Sequence, residues 1–128
     1  MTSDPDRARA LLALAERVKT EHQTYGLLNQ VLTAFGWQEH TPHAVWLCPQ
    51  GLITPIRDRP NPLTSRDAAA GAMPEGWRIG HMAQDEDSFY VEAYREEPDN
   101  FASAEAPTEP RARTAAALRA MAAEVGNG

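Results

Sequence analysis

His40 and His43 stand three residues apart, with Glu39 beside them and Cys48 five residues beyond His43. Imidazole nitrogen, thiolate sulfur and carboxylate oxygen are the ligands zinc accepts, but a site needs three or four of them at a workable spacing. Here the set stops at a pair around Pro42, so the two histidines read as polar loop residues and no metal is expected. Asp85-Glu86-Asp87 is rich in carboxylates but lacks the alternating ligands, central glycine and terminal glutamate of a calcium loop, and reads as a solvated turn. Cys48 with His81 as base would make a nucleophile pair. Nothing around it marks an oxyanion site, and a free cysteine is more often a small buried hydrophobe. Gly71, Gly76 and Gly80 are too scattered for a phosphate-cradling loop. The sequence therefore offers no catalytic residues, no cofactor site and no metal site.

Binding is better represented. Trp37, Trp46, Trp77, Tyr90 and Tyr94 are the residues with most to give at an interface, although Trp46 and Trp77 read first as core. Residues 85–109 hold nine acids and one base, Arg95. The partner-binding set expected from these features is Asp85, Glu86, Asp87, Tyr90, Glu92, Tyr94, Glu96 and Glu97. Tyr90, Glu92 and Tyr94 share a strand face opposite Phe89 and Val91. That face is open to a partner if helices cover the sheet on one side only.

The elements that must position these residues follow from pattern. Asp4-Pro5 opens a helix as N-cap and first-turn proline, and Ala8, Leu11, Leu12, Ala15 and Val18 form its apolar stripe. After a polar break at Lys19 to Thr24, Leu28, Val31, Leu32 and Phe35 give a second helix ended by Gly36. Ala44 to Cys48 and Leu52 to Ile56 form a first hairpin around Pro49-Gln50-Gly51. Pro60 and Pro62 mark an extended loop. Thr64 to Asp67 resembles a capping box opening a helix from Ser65 to Met73. Trp77 to Ala83 and Ser88 to Arg95 form a second hairpin, with Trp77, Ile79, His81 and Ala83 on one face. Glu96 to Pro110, with three prolines, is expected to be a loop. Thr108 or Glu109 then caps a final helix with Ala115, Leu118, Met121, Ala122 and Val125 on its buried stripe. The order α-α-β-β-α-β-β-α predicts an α+β domain, one mainly antiparallel sheet of about four strands packed with helices.

The 128 residues suit a single domain spanning 1–128 that buries roughly two thirds of the surface of its unfolded chain. One cysteine allows no internal disulfide. Asp4 and Asp6 stand where a signal peptide would be basic, and no apolar run approaches the ~18 residues of a membrane span. The expected location is the cytoplasm, with no membrane partner. The net charge of −6 is uneven: residues 1–66 carry 7 bases and 6 acids, and residues 67–128 carry 5 bases and 12 acids. Such acidity repels nucleic acid, and no direct nucleic-acid binding is expected.

Asn61-Pro62-Leu63-Thr64-Ser65-Arg66-Asp67-Ala68-Ala69 leads into Pro74-Glu75-Gly76-Trp77, after a helix ending at Phe35-Gly36-Trp37. Thr108-Glu109-Pro110 then opens an alanine helix through Ala115-Ala116-Ala117-Leu118-Arg119-Ala120, and Leu14-Ala15-Glu16-Arg17-Val18 lies near the start. Together these resemble the phage ABA sandwich domain family, small phage and prophage proteins with helices packed around a sheet. The resemblance implies a phage accessory protein in the cytoplasm of a bacterial host and brings no catalytic residues. The function expected is non-enzymatic protein–protein binding, with inhibition of a host defence or nucleic-acid-handling complex as one form of it. A virion structural or assembly subunit, with homo-oligomerisation, is the alternative, and a small enzyme of unrecognised type ranks last.

Overall fold

The last helix, α4 (Glu109–Asn127), is apolar on almost every side: Ala112, Ala115, Ala116, Ala117, Leu118 and Ala120 are all fully buried. A helix apolar all round must be enclosed, and α4 packs against α1 (Pro5–Thr20), α3 (Arg66–Ala70), β5 (Phe89–Arg95) and β6 (Asn100–Ala106). The computed structural model describes residues 4–40, 45–55, 60–95 and 100–127. The remaining elements are α2 (Tyr25–Ala34), β1 (Gln38–His40), β2 (Val45–Leu47), β3 (Ile53–Pro55) and β4 (Arg78–Gln84). The class is α+β, as the patterning predicts.

The single four-stranded sheet is not what forms. Among the described residues there are two antiparallel three-stranded sheets, sheet A in the order β1-β2-β3 and sheet B in the order β4-β5-β6. Two strands were missed by pattern. β1 has only three residues and carries no alternation to detect. β6 falls within the segment expected to be a loop. Its alternation is real, with Ala102, Ala104 and Ala106 buried, but alanine contrasts weakly with its polar neighbours. Pro98 and Pro107 flank the strand and do not interrupt it, as a paired strand requires.

Capping fixes the helix ends. Asp4 accepts a hydrogen bond from the Arg7 amide at 3.0 Å, with Pro5 in the first turn. Thr24 accepts from the Leu27 amide at 3.1 Å to start α2. At its other end the Trp37 amide donates to Leu32 O at 2.9 Å and the Gly36 amide to Thr33 O at 3.1 Å. These are the paired bonds of a Schellman motif, with Gly36 at φ +98° as the left-handed residue. At α3 the cap is Ser65, whose hydroxyl accepts from the Ala68 amide at 3.2 Å. It is not Thr64, and the helix stops at Ala70, short of Met73.

The α1 stripe is rotated from the expected one. Leu11, Leu14, Ala15 and Val18 are buried, whereas Leu12 is 45% exposed, because the α4 interface takes positions three and four apart from Leu11. Leu28, Leu32, Trp46, Val91 and Leu118 are buried as expected, while Ile79, Phe89 and Met121 are half-buried against the same clusters. Arg111 of α4 donates to the Val18 and Glu21 carbonyls at 2.8 and 2.7 Å, closing the C-terminus of α1 with a cation where the helix dipole favours one. Thr114, fully buried, donates to Pro62 O at 2.8 Å and ties the proline loop to α4. Leu118→Ala should cost about 2–5 kcal/mol, read as a lower urea midpoint with unchanged slope; an unmoved midpoint would mean that α4 is not the centre of the core.

Candidate binding face of the second sheet

In an antiparallel pair, residues directly opposite project from the same face. Val91 and Ala93 of β5, with Ala102, Ala104 and Ala106 of β6, face α4 and are buried. Tyr90, Glu92 and Tyr94 therefore project from the other side, beside Glu105, Ser103 and Phe101 respectively. Among the described residues the helices that pack on sheet B are α4 and, at β6, α1, and on the side away from the buried alanines Tyr90, Glu92 and Tyr94 are half-buried.

β4 contributes to this face in a way its alternation does not predict. The register shifts between Ile79 and His81, placing a bulge at Gly80. An extra residue sends the following side chains to the opposite face. Trp77 and Ile79 stay with the core, but His81 now lies opposite Glu92 and Ala83 opposite Tyr90. The four residues expected on one face are thus split two and two. Gly80 itself is covered by the Tyr94 ring: a Cβ there would meet Tyr94 Cδ1 at 2.8 Å.

The outcome is three cross-strand rows. Arg78, Tyr94 and Phe101 form the first, with the Arg78 guanidinium 5.8 Å from the Tyr94 ring centre. His81, Glu92 and Ser103 form the second, and Ala83, Tyr90 and Glu105 the third. The His81 and Tyr90 rings lie 6.1 Å apart across the diagonal, and Phe101 is 54% exposed. The Tyr90 hydroxyl donates to Glu92 Oε2 at 2.8 Å. That bond to a carboxylate holds the phenol above its ordinary range, opposed in part by the Ser103 hydroxyl.

The nine acids of residues 85–109 meet different fates. Asp85, Glu86 and Asp87 are exposed in the β4–β5 turn, which the Asp85 amide closes onto Ser88 O at 2.8 Å. Glu92 and Glu105 lie on the outer face. Glu109 is held on the helical side by Arg113 at 2.7 Å. Glu96, Glu97 and Asp99 lie outside the described residues. Tyr90, Glu92 and Tyr94 are thus brought together on one surface, with the 85–87 turn at the end of its first two strands. Arg78, His81 and Phe101 belong to that surface too. The signal for Phe101 was its place in the N-F-A-S-A-E-A alternation, and for His81 the glycine one residue earlier.

Other sequence candidates do not assemble. Cys48 is half-buried in the β2–β3 turn, where its sulfur accepts from the Leu52 amide at 3.4 Å. It belongs to sheet A, while His81 belongs to sheet B. His43 lies outside the described residues, as does the His40 side chain. Among the described residues no three His, Cys, Asp or Glu side chains are grouped to hold a metal ion. Trp46 and Trp77 are buried; the Trp77 indole donates to Glu124 at 2.9 Å beneath the Arg95 guanidinium. No helix is long and apolar enough to cross a membrane among the described residues.

No family model, curated protein or solved structure matches this chain.

The Tyr90–Glu92 contact can be titrated. The folded pKa of Tyr90 is raised above its ordinary value, so the contact's contribution is full below the ordinary tyrosine range and is lost as pH rises through the folded value. The tyrosinate absorbance step that disappears in Tyr90→Phe should lie above the ordinary range and fall in Glu92→Ala. A step that does not move in Glu92→Ala would show that the two side chains are not bonded in solution.

Proposed function

We propose that this chain is a non-enzymatic accessory protein of phage or prophage type that works by binding another protein through the outer face of sheet B. The observation that carries the reading is the grouping of Tyr90, Glu92, Tyr94, Phe101 and His81 on the sheet face opposite the one packed on α4. Flat aromatic surface with a polar handle is what interface anchors are made of. The exposed acids of the 85–87 turn, with Glu105, suit a partner whose surface is basic, such as the nucleic-acid-handling surface of a host defence complex. The likeness of residues 61–77 and of the final helix to phage ABA sandwich domains points the same way and makes the host cytoplasm the place of action.

A second reading, self-association as a virion assembly subunit, draws on Phe101, an exposed apolar ring on the same face. Sedimentation of the purified protein separates the two readings, since only the second makes the free chain an oligomer.

The proposal predicts that a partner captured from host lysate by the tagged protein is lost with the Tyr90→Ala, Tyr94→Ala double variant. Anchor truncation of this kind costs on the order of 2 kcal/mol or more. Reversing Asp85, Glu86 and Asp87 to lysine should slow association at low salt and flatten its salt dependence. The charge-reversed variant should keep the wild-type melting temperature; the aromatic variant should melt lower, having lost the Tyr90–Glu92 bond and the Tyr94 cover of Gly80, but should keep the wild-type circular dichroism. Undiminished capture by both, with the fold intact, would remove sheet B from the contact.

A further inference from the structure

On the helical side of the molecule, sharing no residue with the outer face of sheet B, lies an open cleft of about 500 Å³. Its walls come from five places, one of them Pro49 and Gln50 of the β2–β3 turn. Phe35 and Trp37 are set there by the Schellman turn that ends α2. Pro62 is fixed by the buried hydroxyl of Thr114. Met121 and Val125 come from α4, and Asp67 from the first turn of α3. The volume is within the span of small-molecule sites, roughly 300–1,000 Å³, and an apolar, aromatic wall with few polar groups is the usual lining of one.

Among the described residues the charge on that wall has one sign. Its ionisable residues among those described are Asp67 and Glu124, with no lysine, arginine or histidine. Glu124 is already committed, accepting from Arg95 at 2.7 Å and from the Trp77 indole at 2.9 Å. Asp67 has no ion pair among the described residues. An exposed carboxylate without a cation among the described residues, in one lining with aromatic rings, favours a positive group, through its own charge and through the ring faces. It disfavours an anion for the same reason.

We propose that this cleft is a binding site for a small apolar ligand bearing a single ammonium group, with the apolar body against Phe35, Trp37 and Met121 and the cation at Asp67. The site is independent of the proposed protein-binding face, and either can fail without the other.

Three probes of one shape and different charge test it: phenethylamine, phenethyl alcohol and phenylpropionate. Binding is followed by heteronuclear NMR at the Trp37 indole N–H, assigned by its loss in Trp37→Phe. The amine should shift that signal and bind about tenfold more tightly than the alcohol, a step of about 1.4 kcal/mol, and the anion most weakly. Asp67→Asn should remove the amine's advantage while leaving the alcohol's affinity as it was. Equal binding of amine and alcohol, an amine preference that survives Asp67→Asn, or no response of Trp37 to any probe would each overturn the proposal.

Discussion

The whole structure depends on how closely α4 approaches what surrounds it. Alanine supplies seven of its 19 residues, most of them fully buried, and alanine at 102, 104 and 106 lines the strand beside it. A methyl group projects little, so helix and sheet backbones come close, and its burial costs no side-chain entropy. Each such contact removes little apolar area from water, so stability comes from the number of contacts made at once. The larger side chains of Leu118, Val18, Val31 and Trp46 are buried in the same cluster as the alanines. In that setting α4 cannot be a surface helix, and every neighbouring element must arrange itself around it.

That arrangement decides where binding surface is left. With α4 and, at β6, α1 packed on sheet B, Tyr90, Glu92 and Tyr94 stand on the side away from the buried alanines. The polar contacts reinforce this division. In the acidic half of the chain, Arg95 pairs with Glu124, Arg113 with Glu109 and Arg119 with Glu16, while Arg111 closes α1 and Arg78 lies over Tyr94. All five bases of residues 67–128 are therefore engaged within the fold, and the uncompensated charge is carried by turn and face carboxylates such as Asp85, Glu86, Asp87 and Glu105. The surface is more polarised than the composition suggests.

Much of the helical framework was legible in the sequence because its signals are local. Asp4-Pro5 and Phe35-Gly36-Trp37 act through bonds between residues three to five apart, and so they survive any tertiary context. Tyr90, Glu92 and Tyr94 were likewise legible as one face, since strand periodicity alone puts them there. The limits are just as specific. Nothing local sets Leu14 above Leu12 as the buried leucine of α1. Nothing in Glu96 to Pro110 announces a strand whose inner face is only methyl groups.

What the sequence alone determined is the α+β class, the start of α1, the glycine end of α2, the first hairpin and the aromatic strand face, each fixed by short-range hydrogen bonds or by a period of two or 3.6 residues. Tertiary structure alone decided that six strands divide into two sheets, that the Gly80 bulge turns His81 outward, and that Glu109 leaves the acidic surface for Arg113. It also decided that a cleft forms between the end of α2, the β2–β3 turn, the proline loop, α3 and α4. Those outcomes depend on which surfaces meet across long stretches of chain, and that is set by the space around one buried alanine helix rather than by any residue's near neighbours.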